Sequence, residues 1–187
     1  MIDALVANLV KAGENDILER IGLKQADFIY VTLHRPSNVD APDTLAAIMR
    51  ELFTVAGRLP VVFPTHPRTK YMLSDNNIVV DKHNGLRLLD PIGYHESLRL
   101  TQQSRLVLTD SGGLQEESTF LQVPCLTLRP NTERPITIEQ GTNKLTCIDN
   151  LTTDIEEILQ NRRMHCRVPE FWDGHTAERI IAALLEI

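Results

Sequence analysis

Apolar residues along the chain follow two alternating spacings, which predicts an alternation of helices and strands. Compact runs rich in β-branched residues are too short to be core helices, and we interpret them as buried strands. The predicted strands are residues 27–33, 60–64, 76–80, 85–89, 105–110, 123–129 and 144–148, with the weakest pattern at 76–80. The predicted helices are residues 1–20 with an interruption near Gly13, 41–59, 94–104, 114–122, 151–163 and 174–186.

Strands that are apolar on both faces and separated by helices predict a parallel sheet with helices on both sides. The predicted fold class is therefore α/β, a doubly wound (Rossmann-like) parallel sheet. Because the sequence contains no internal repeat, linker or low-complexity tract, we expect residues 1–187 to form a single domain. Ligands of such folds bind at the carboxyl ends of the strands. The residues that follow each strand are therefore the candidates for a binding site.

Composition narrows the class of protein. The 187 residues are 42% hydrophobic and 24% charged, with a net charge of −6 and no basic block, which is typical of a globular protein and disfavours a nucleic-acid partner. The three cysteines form no CxxC pair, so we expect reduced thiols and no metal site. The N-terminal stretch MIDALVANLV lacks the basic residues of a signal peptide, and no stretch could span a bilayer. We therefore expect a soluble, cytoplasmic protein with no membrane partner.

The stretch LTDSGGLQEES, residues 108–118, carries the most specific chemistry. A strand, a Ser-Gly-Gly turn and a helix would present free backbone N–H groups and the positive end of a helix dipole at the ligand edge of the sheet. A diphosphate suits this place, with Ser111 as a further donor and Glu116 or Glu117 accepting from a neutral group such as a ribose diol. The alternative is that Ser111 merely caps the helix and the glutamates complement its dipole. The string matches neither GxGxxG nor GxxxxGK[ST], which disfavours NAD and P-loop nucleotide hydrolysis.

Histidine and arginine follow several predicted strands. The residues concerned are His34 and Arg35, His66 and Arg68, and Arg129, Glu133 and Arg134. Any one of these loops alone is more simply a solvated surface loop. Loops at one edge of a parallel sheet converge on one crevice, however, and His and Arg there would bind an anionic ligand. Three other histidines follow no strand and are interpreted as surface residues: His83, His165 and His175.

Seven stretches of the chain together resemble one known family, the non-hydrolysing UDP-N-acetylglucosamine 2-epimerases. In order, they are TLHRPSNVD, PTHPR, LDPIGYHESL, TDSGGLQEES, RPNTERP, QGTNKL and DGHTAERI. The order of DSGGxQEE and TERP is specific, and the resemblance covers essentially the whole chain. Family members contain two Rossmann-like domains in the GT-B arrangement, and this chain resembles only the second. We therefore expect either a truncated form or a short gene product that lacks the N-terminal domain.

The resemblance implies roles for individual residues. His34 is the implied catalytic residue, near the diphosphate. The implied substrate-binding residues are Ser111, Gly112 and Gly113 for the UDP phosphates, Glu117 for the ribose, Ile92 and Tyr94 beside the uracil, and Arg134, with Arg129 as a weaker candidate. His66 and Arg35 are implied at a second, allosteric site for UDP-N-acetylglucosamine. The assignments at the Ser-Gly-Gly turn agree with the interpretation from the residues alone.

The chain departs from the family's pattern at four positions. Pro36 and Ser37 stand where many members have arginine and glutamate, which leaves the presence of the allosteric site open. Ser97 stands where many members have an aromatic residue beside the base, so uracil would bind more weakly or stack on another residue. Ile136 follows TERP where glutamate is common.

The resemblance also implies an activity. Family members invert C2 of the sugar by eliminating UDP to a 2-acetamidoglucal and adding it back, which gives UDP-N-acetylmannosamine without a metal or other cofactor. The acid–base carboxylates come largely from the N-terminal domain, so we expect this chain to bind UDP weakly and to be nearly inactive alone. The family commonly forms homodimers. A GT-B glycosyltransferase donor domain, a non-catalytic sugar-nucleotide module or partner subunit, and a hydrolysing epimerase remain as alternatives.

Overall fold

The computed structural model describes residues 1–80, 85–160 and 166–185. The strands are β1 (Ile29–Thr32), β2 (Val61–Pro64), β3 (Leu86–Leu89), β4 (Leu106–Thr109), β5 (Cys125–Leu128) and β6 (Asn143–Thr146). The helices are α1 (Ile2–Gly13), α2 (Ile17–Arg20), α3 (Pro36–Val39), α4 (Pro42–Ala56), α5 (Pro67–Asp75), α6 (Tyr94–Gln103), α7 (Gly112–Phe120), α8 (Ile136–Glu139), α9 (Leu151–Gln160) and α10 (Thr176–Leu185), with a 3₁₀ turn at Ile148–Asn150. No helix in the described ranges is long and apolar enough to cross a membrane.

All six strands are parallel and lie in the order β3-β2-β1-β4-β5-β6. The central pair is β1 and β4, with Thr32 opposite Thr109 at their carboxyl ends. This is the Rossmann order, in which the chain reverses its direction of winding between the two central strands. The predicted doubly wound parallel sheet is confirmed. Ligands of such sheets bind in the crevice at this reversal point, so the ends of β1 and β4 locate the candidate site.

Alternate residues of each strand pack on opposite faces of the sheet, as the two-residue period of a strand requires. In β1, Ile29 and Val31 belong to the apolar cluster that packs under α4 and α9. Tyr30 lies on the other face, in the cluster with α2 and α6. The helix α1 packs outside α6 through a smaller cluster that includes Leu5 and Leu98. Helices therefore cover both faces of the sheet and leave the ends of its strands uncovered.

Residues 76–80 do not form a strand, so this part of the sequence prediction is wrong. They follow α5, a helix that was not predicted. Asn77 has a positive φ of 53°, and the N–H of Ile78 donates to the carbonyl of Leu73 at 2.9 Å. Both features belong to the turn that ends α5. The β-branched residues after this turn are thus placed by the end of the preceding helix rather than by their strand propensity.

The other predicted elements are present with shifted ends. The helix predicted at 1–20 is divided into α1 and α2, and the one predicted from 114 begins two residues earlier, at Gly112. The short helices α3 and α8 were not predicted. His175 is exposed, as expected of a surface residue. The predictions at residues 161–163 and 186, and those for His83 and His165, lie outside the described residues.

Candidate functional site

A fully buried carboxylate, Asp110, lies where β1 and β4 end side by side. It accepts hydrogen bonds from the backbone N–H groups of His34 at 3.1 Å and Arg35 at 2.9 Å. The side-chain amide of Asn38 donates to the same carboxylate at 2.9 Å. Because a buried carboxylate is stable only when several donors surround it, the loop after β1 wraps around Asp110. This arrangement fixes the positions of His34 and Arg35.

The same carboxylate orients the ring of His34. Its Nδ1 lies 2.8 Å from Oδ1 of Asp110, and the His34 side chain is 60% exposed. A neutral imidazole that donates from Nδ1 leaves Nε2 able to accept a proton. Arg35 is tied to the same place, because its Nε donates to the backbone carbonyl of Asp110 at 3.1 Å. The predicted His-Arg pair after β1 therefore meets the residue that precedes the Ser-Gly-Gly turn.

The Ser-Gly-Gly turn begins α7 at this edge of the sheet. Ser111 is the N-cap residue, but its side chain makes no capping hydrogen bond, while its N–H donates to Oγ1 of Thr109 at 3.0 Å. Among the described residues, none accepts a hydrogen bond from the backbone N–H of Gly112, Gly113 or Leu114. These first-turn donors and the helix dipole suit an anion. The alternative in which Ser111 simply caps the helix is not supported by this geometry.

The two glycines of the turn differ in their surroundings. A Cβ at Gly112 would have no atom within 4 Å, so this residue borders open space. A Cβ at Gly113 would lie 3.2 Å from Cε of Met1, and Met1 is itself 59% exposed. A flexible side chain thus covers one glycine and leaves the other accessible.

The two adjacent glutamates of α7 have different partners. Oε1 of Glu116 lies 3.1 Å from Nε of Arg134, which forms an ion pair. Glu117 is buried and accepts a hydrogen bond from Oη of Tyr94 at 3.1 Å. Burial raises the pKa of Glu117. Among the described residues no cation contacts Glu117, so its carboxylate suits a ligand that brings neutral donors.

A buried amide that sequence analysis did not identify links α7 to the loop after β5. Gln115 accepts hydrogen bonds from Oγ1 of Thr132 at 2.5 Å and from Asn143 at 3.1 Å. It donates to the carbonyl of Ser111 at 3.2 Å. Thr132 in turn accepts from the N–H of Arg134 at 2.9 Å. This network holds the TERP segment against the start of α7.

The arginines at this edge are already paired with carboxylates. Arg129 is buried, and its guanidinium donates to both oxygens of Glu133, at 2.8 and 2.7 Å. Arg35 lies 3.7 Å from the same carboxylate, and the hydrogen bonds from Arg129 lower the pKa of Glu133 to about 2. Arg134 is engaged by α7. Since these cations already contact carboxylates, the first-turn N–H groups of α7, which have no acceptor among the described residues, are the better candidates to bind an anion.

His66 caps a different helix. It follows β2, and its Nδ1 accepts the N–H of Arg68 at 3.2 Å at the start of α5. Arg68 pairs with Asp40 at 2.7 Å, which fixes α5 beside α3. Among the described contacts none joins His66 to Arg35. A common allosteric site for these two residues therefore stays a prediction.

The residues predicted to border a base lie at the start of α6. Ile92 is partly buried against the apolar cluster beneath this helix, and Tyr94 is 44% exposed. The hydroxyl of Ser97, one turn further along, lies 2.7 Å from Oη of the buried Tyr30. Ser97 is thus engaged inside the protein, and the exposed aromatic ring at this end of α6 belongs to Tyr94.

A cleft of about 570 Å³ lies beside this edge, at the ends of β5 and β6. Residues that line it include Asn38, Arg129, Cys147 and Ile148. Its volume is in the range of small-molecule sites. None of the three residues of the Ser-Gly-Gly turn lines it, so the cleft is a neighbour of the α7 donors and not their location.

Comparisons with known proteins agree on one family. The family model described as UDP-N-acetylglucosamine 2-epimerase matches residues 1–185. The UDP-N-acetylglucosamine 2-epimerase of Methanocaldococcus jannaschii is 37% identical over 193 residues, which cover 98% of this chain and 52% of the relative. A UDP-2,3-diacetamido-2,3-dideoxy-D-glucuronate 2-epimerase of Pseudomonas aeruginosa is 41% identical over 127 residues, 67% of this chain and 35% of the relative.

Solved structures extend this likeness to the fold. The UDP-N-acetylglucosamine 2-epimerase of M. jannaschii, in complex with UDP-N-acetylglucosamine and UDP, has a TM-score of 0.85 at 36% identity. The match covers 100% of this chain and 53% of that structure. The chain thus spans about half the length of the relatives it matches.

Proposed function

This chain belongs to the UDP-N-acetylglucosamine 2-epimerase family, and we propose that it is the nucleotide-binding half of such an enzyme. In this proposal, the diphosphate of UDP-N-acetylglucosamine binds the first-turn N–H groups of α7. The observation that carries it is the set of N–H donors at Gly112, Gly113 and Leu114, at the end of the central strand pair, for which no described residue is an acceptor. The ligands named for the M. jannaschii structure, UDP-N-acetylglucosamine and UDP, support this ligand class.

The proposed reaction is inversion at C2 through elimination and re-addition of UDP. Cleavage of the bond to the sugar leaves charge on the diphosphate, so N–H donors fixed at the start of α7 would stabilise the transition state more than the ground state. We assign to His34 a proton exchange beside the diphosphate, since Asp110 holds its ring with Nε2 available. The remaining acid–base groups would come from the other half of the complete enzyme.

A second sugar is a candidate because of one comparison. The P. aeruginosa relative, 41% identical over its matched segment, is named for a diacetamido glucuronate. Both sugar nucleotides share UDP and a 2-acetamido group, so the proposed contacts of α7 serve either one. Turnover of each by the complete enzyme would decide between them.

The exposed face of α10 supports the proposal that a further half is needed. None of the α10 residues is buried, and its apolar residues Ile180, Ile181, Leu184 and Leu185 are 54 to 81% exposed. An isolated helix of this length is marginal in water, and a contiguous apolar face of this kind marks an interaction surface. We propose that this face packs on the other half of the complete protein. That the complete protein is a homodimer stays a prediction.

Acidic substitutions on the apolar face of α10 are expected to prevent assembly with the other half while leaving the chain folded. In the double variant Ile181→Glu and Leu184→Glu, the free energy of unfolding should change by less than about 0.5 kcal/mol, because both side chains are more than half exposed. The variant should lose the epimerase activity that wild type gains when the N-terminal half of a relative is added. Val10→Glu, at another exposed apolar residue, is the control and should keep that activity. Turnover by the chain alone at about 1 to 10³ per second would contradict the need for a second half.

Calorimetric titration with UDP, UDP-N-acetylglucosamine and NAD tests the proposed function without requiring catalysis. We expect both uridine ligands to bind with dissociation constants between about 10 µM and 1 mM, since the arginines near the turn are already paired. NAD should give no binding heat. Binding of NAD alone, or no uridine binding at millimolar ligand, would overturn the proposal. A glycoside formed from an added acceptor sugar would instead indicate a glycosyltransferase donor domain.

A further inference from the structure

The carboxylate of Glu117 is buried and has few hydrogen-bond partners. Glu117 is 6% exposed, and the hydroxyl of Tyr94 is its one hydrogen-bond donor among the described residues. A carboxylate offers about four lone-pair positions, so one neutral donor leaves most of its capacity unused. A buried carboxylate in this condition is costly, and a ligand with further O–H groups would relieve that cost.

The groups that face Glu117 are neutral hydroxyls and a like charge. Tyr94 approaches from α6, and the buried Tyr30 approaches from β1 with its hydroxyl engaged by Ser97. On its own helix, Glu116 is paired with Arg134. Burial raises the pKa of Tyr94 and of Tyr30 to about 12, so both remain protonated at neutral pH. A ribose diol, which brings two neutral O–H donors, would fill acceptor positions of Glu117 that the hydroxyl of Tyr94 leaves open.

The backbone around Tyr94 is firmly held. At the start of α6, the N–H of the N-cap residue Gly93 donates to the side chain of Glu96 at 2.8 Å. Arg20 pairs with the same glutamate. On the other side, His95 bonds Asn8 of α1 at 2.8 Å. The hydroxyl of Tyr94 is therefore held in a defined position beside α7, although Tyr94 is 44% exposed.

We propose that Tyr94 is a positioning residue whose hydroxyl holds Glu117 in the orientation that accepts both hydroxyls of a ribose. This inference rests on the proposed function, because it concerns the ribose of the same UDP site. It changes the expected role of Tyr94, from bordering the uracil to orienting the carboxylate that selects ribonucleotides over deoxyribonucleotides. The hydroxyl also favours the ionised form of Glu117 against the effect of burial.

The test compares UDP and 2′-deoxy-UDP binding to wild type and Tyr94→Phe by calorimetry. Wild type should prefer UDP by about tenfold, the worth of one hydrogen bond to a charged group. Tyr94→Phe keeps the ring but should weaken UDP binding about tenfold, with 2′-deoxy-UDP nearly unchanged. In the Glu117→Gln background, Tyr94→Phe should have no further effect. As the pH is lowered, the UDP affinity of Tyr94→Phe should begin to fall at a higher pH than that of wild type, because loss of the hydroxyl raises the pKa of Glu117.

Tyr30→Phe is the matched control, since it removes a hydroxyl that bonds Ser97 instead; it should leave the ratio of UDP to 2′-deoxy-UDP affinity unchanged. Equal losses for both ligands in Tyr94→Phe, or no loss for either, would overturn the inference and leave the UDP site standing. Equal affinity of wild type for the two ligands would overturn it as well. Absence of any UDP binding by wild type would reject the proposed function itself.

Discussion

Gly112→Val is expected to reduce UDP binding about a hundredfold, which corresponds to the loss of two charge-assisted hydrogen bonds. Gly112 is the first residue of α7, and a Cβ added there meets no atom within 4 Å. A Cβ therefore fits at this position, and the branched side chain of valine would fill the space through which the diphosphate is proposed to approach the first-turn N–H groups. Calorimetry measures the affinity and thermal unfolding measures the stability. We expect the melting temperature to be unchanged or slightly raised, because glycine is a poor helix former.

Two other glycines make this experiment selective. Gly13, at the end of α1, also has open space around a Cβ, so Gly13→Val should leave UDP binding unchanged. Gly141→Ala should show the opposite pattern, because its Cβ would lie 2.4 Å from Oγ1 of Thr119 and 2.6 Å from the carbonyl of Thr137. That variant should lose stability. UDP binding by Gly112→Val at the wild-type affinity would show that the diphosphate does not approach α7 there.

Asp110→Ala is expected to cause the largest loss of stability, about 3 to 5 kcal/mol in the free energy of unfolding. The substitution removes a fully buried carboxylate that accepts from the backbone N–H groups of His34 and Arg35 and from the amide of the buried Asn38. Domains of this kind are stable by only about 5 to 15 kcal/mol, so this loss would be a large fraction of the total free energy of unfolding. Denaturant unfolding measures the difference.

Asp90→Ala is the control for this loss. Asp90 pairs with Lys70 at 2.8 Å, but its side chain is 82% exposed, and its removal should change stability within experimental error. Asp110→Asn retains one acceptor oxygen and should destabilise less. In that variant, ¹⁵N resonances of His34 should report a mixture of tautomers instead of the Nδ1-protonated form. Equal stability of Asp110→Ala and wild type would contradict the role given to this carboxylate.

Much of the fold follows from the sequence because the apolar runs are unambiguous. Each of the six observed strands was predicted, since runs such as 105–110 are apolar on both faces. The error at residues 76–80 has a local cause. The preceding helix begins with Pro67 and has Leu73 as its one buried apolar residue, so its helical pattern of apolar residues is weak. The turn that ends this helix then fixes the conformation of residues 76–80, although their composition favours a strand.

The candidate site was only partly predictable. The Ser-Gly-Gly turn and the residues after β1 were identified because parallel strand ends meet at one edge. The role of Asp110 was missed, although a carboxylate directly after an apolar strand was the available signal. The pairing of Arg129 with Glu133 could not be derived, because it depends on the conformation of the loop that joins them. The sequence therefore indicated where a candidate site lies, and the structure showed how the charged residues around it are paired.

The most direct test of the account is a titration of ¹⁵N-labelled chain with UDP, followed by the amide resonances of the glycines. The resonances of Gly112 and Gly113 are expected to shift most and to saturate with the calorimetric dissociation constant, while those of Gly141 and Gly174 stay in place. The proposed site would be contradicted if UDP bound while the resonances of Gly112 and Gly113 did not move and those of Cys147 and Ile148, in the neighbouring cleft, shifted instead.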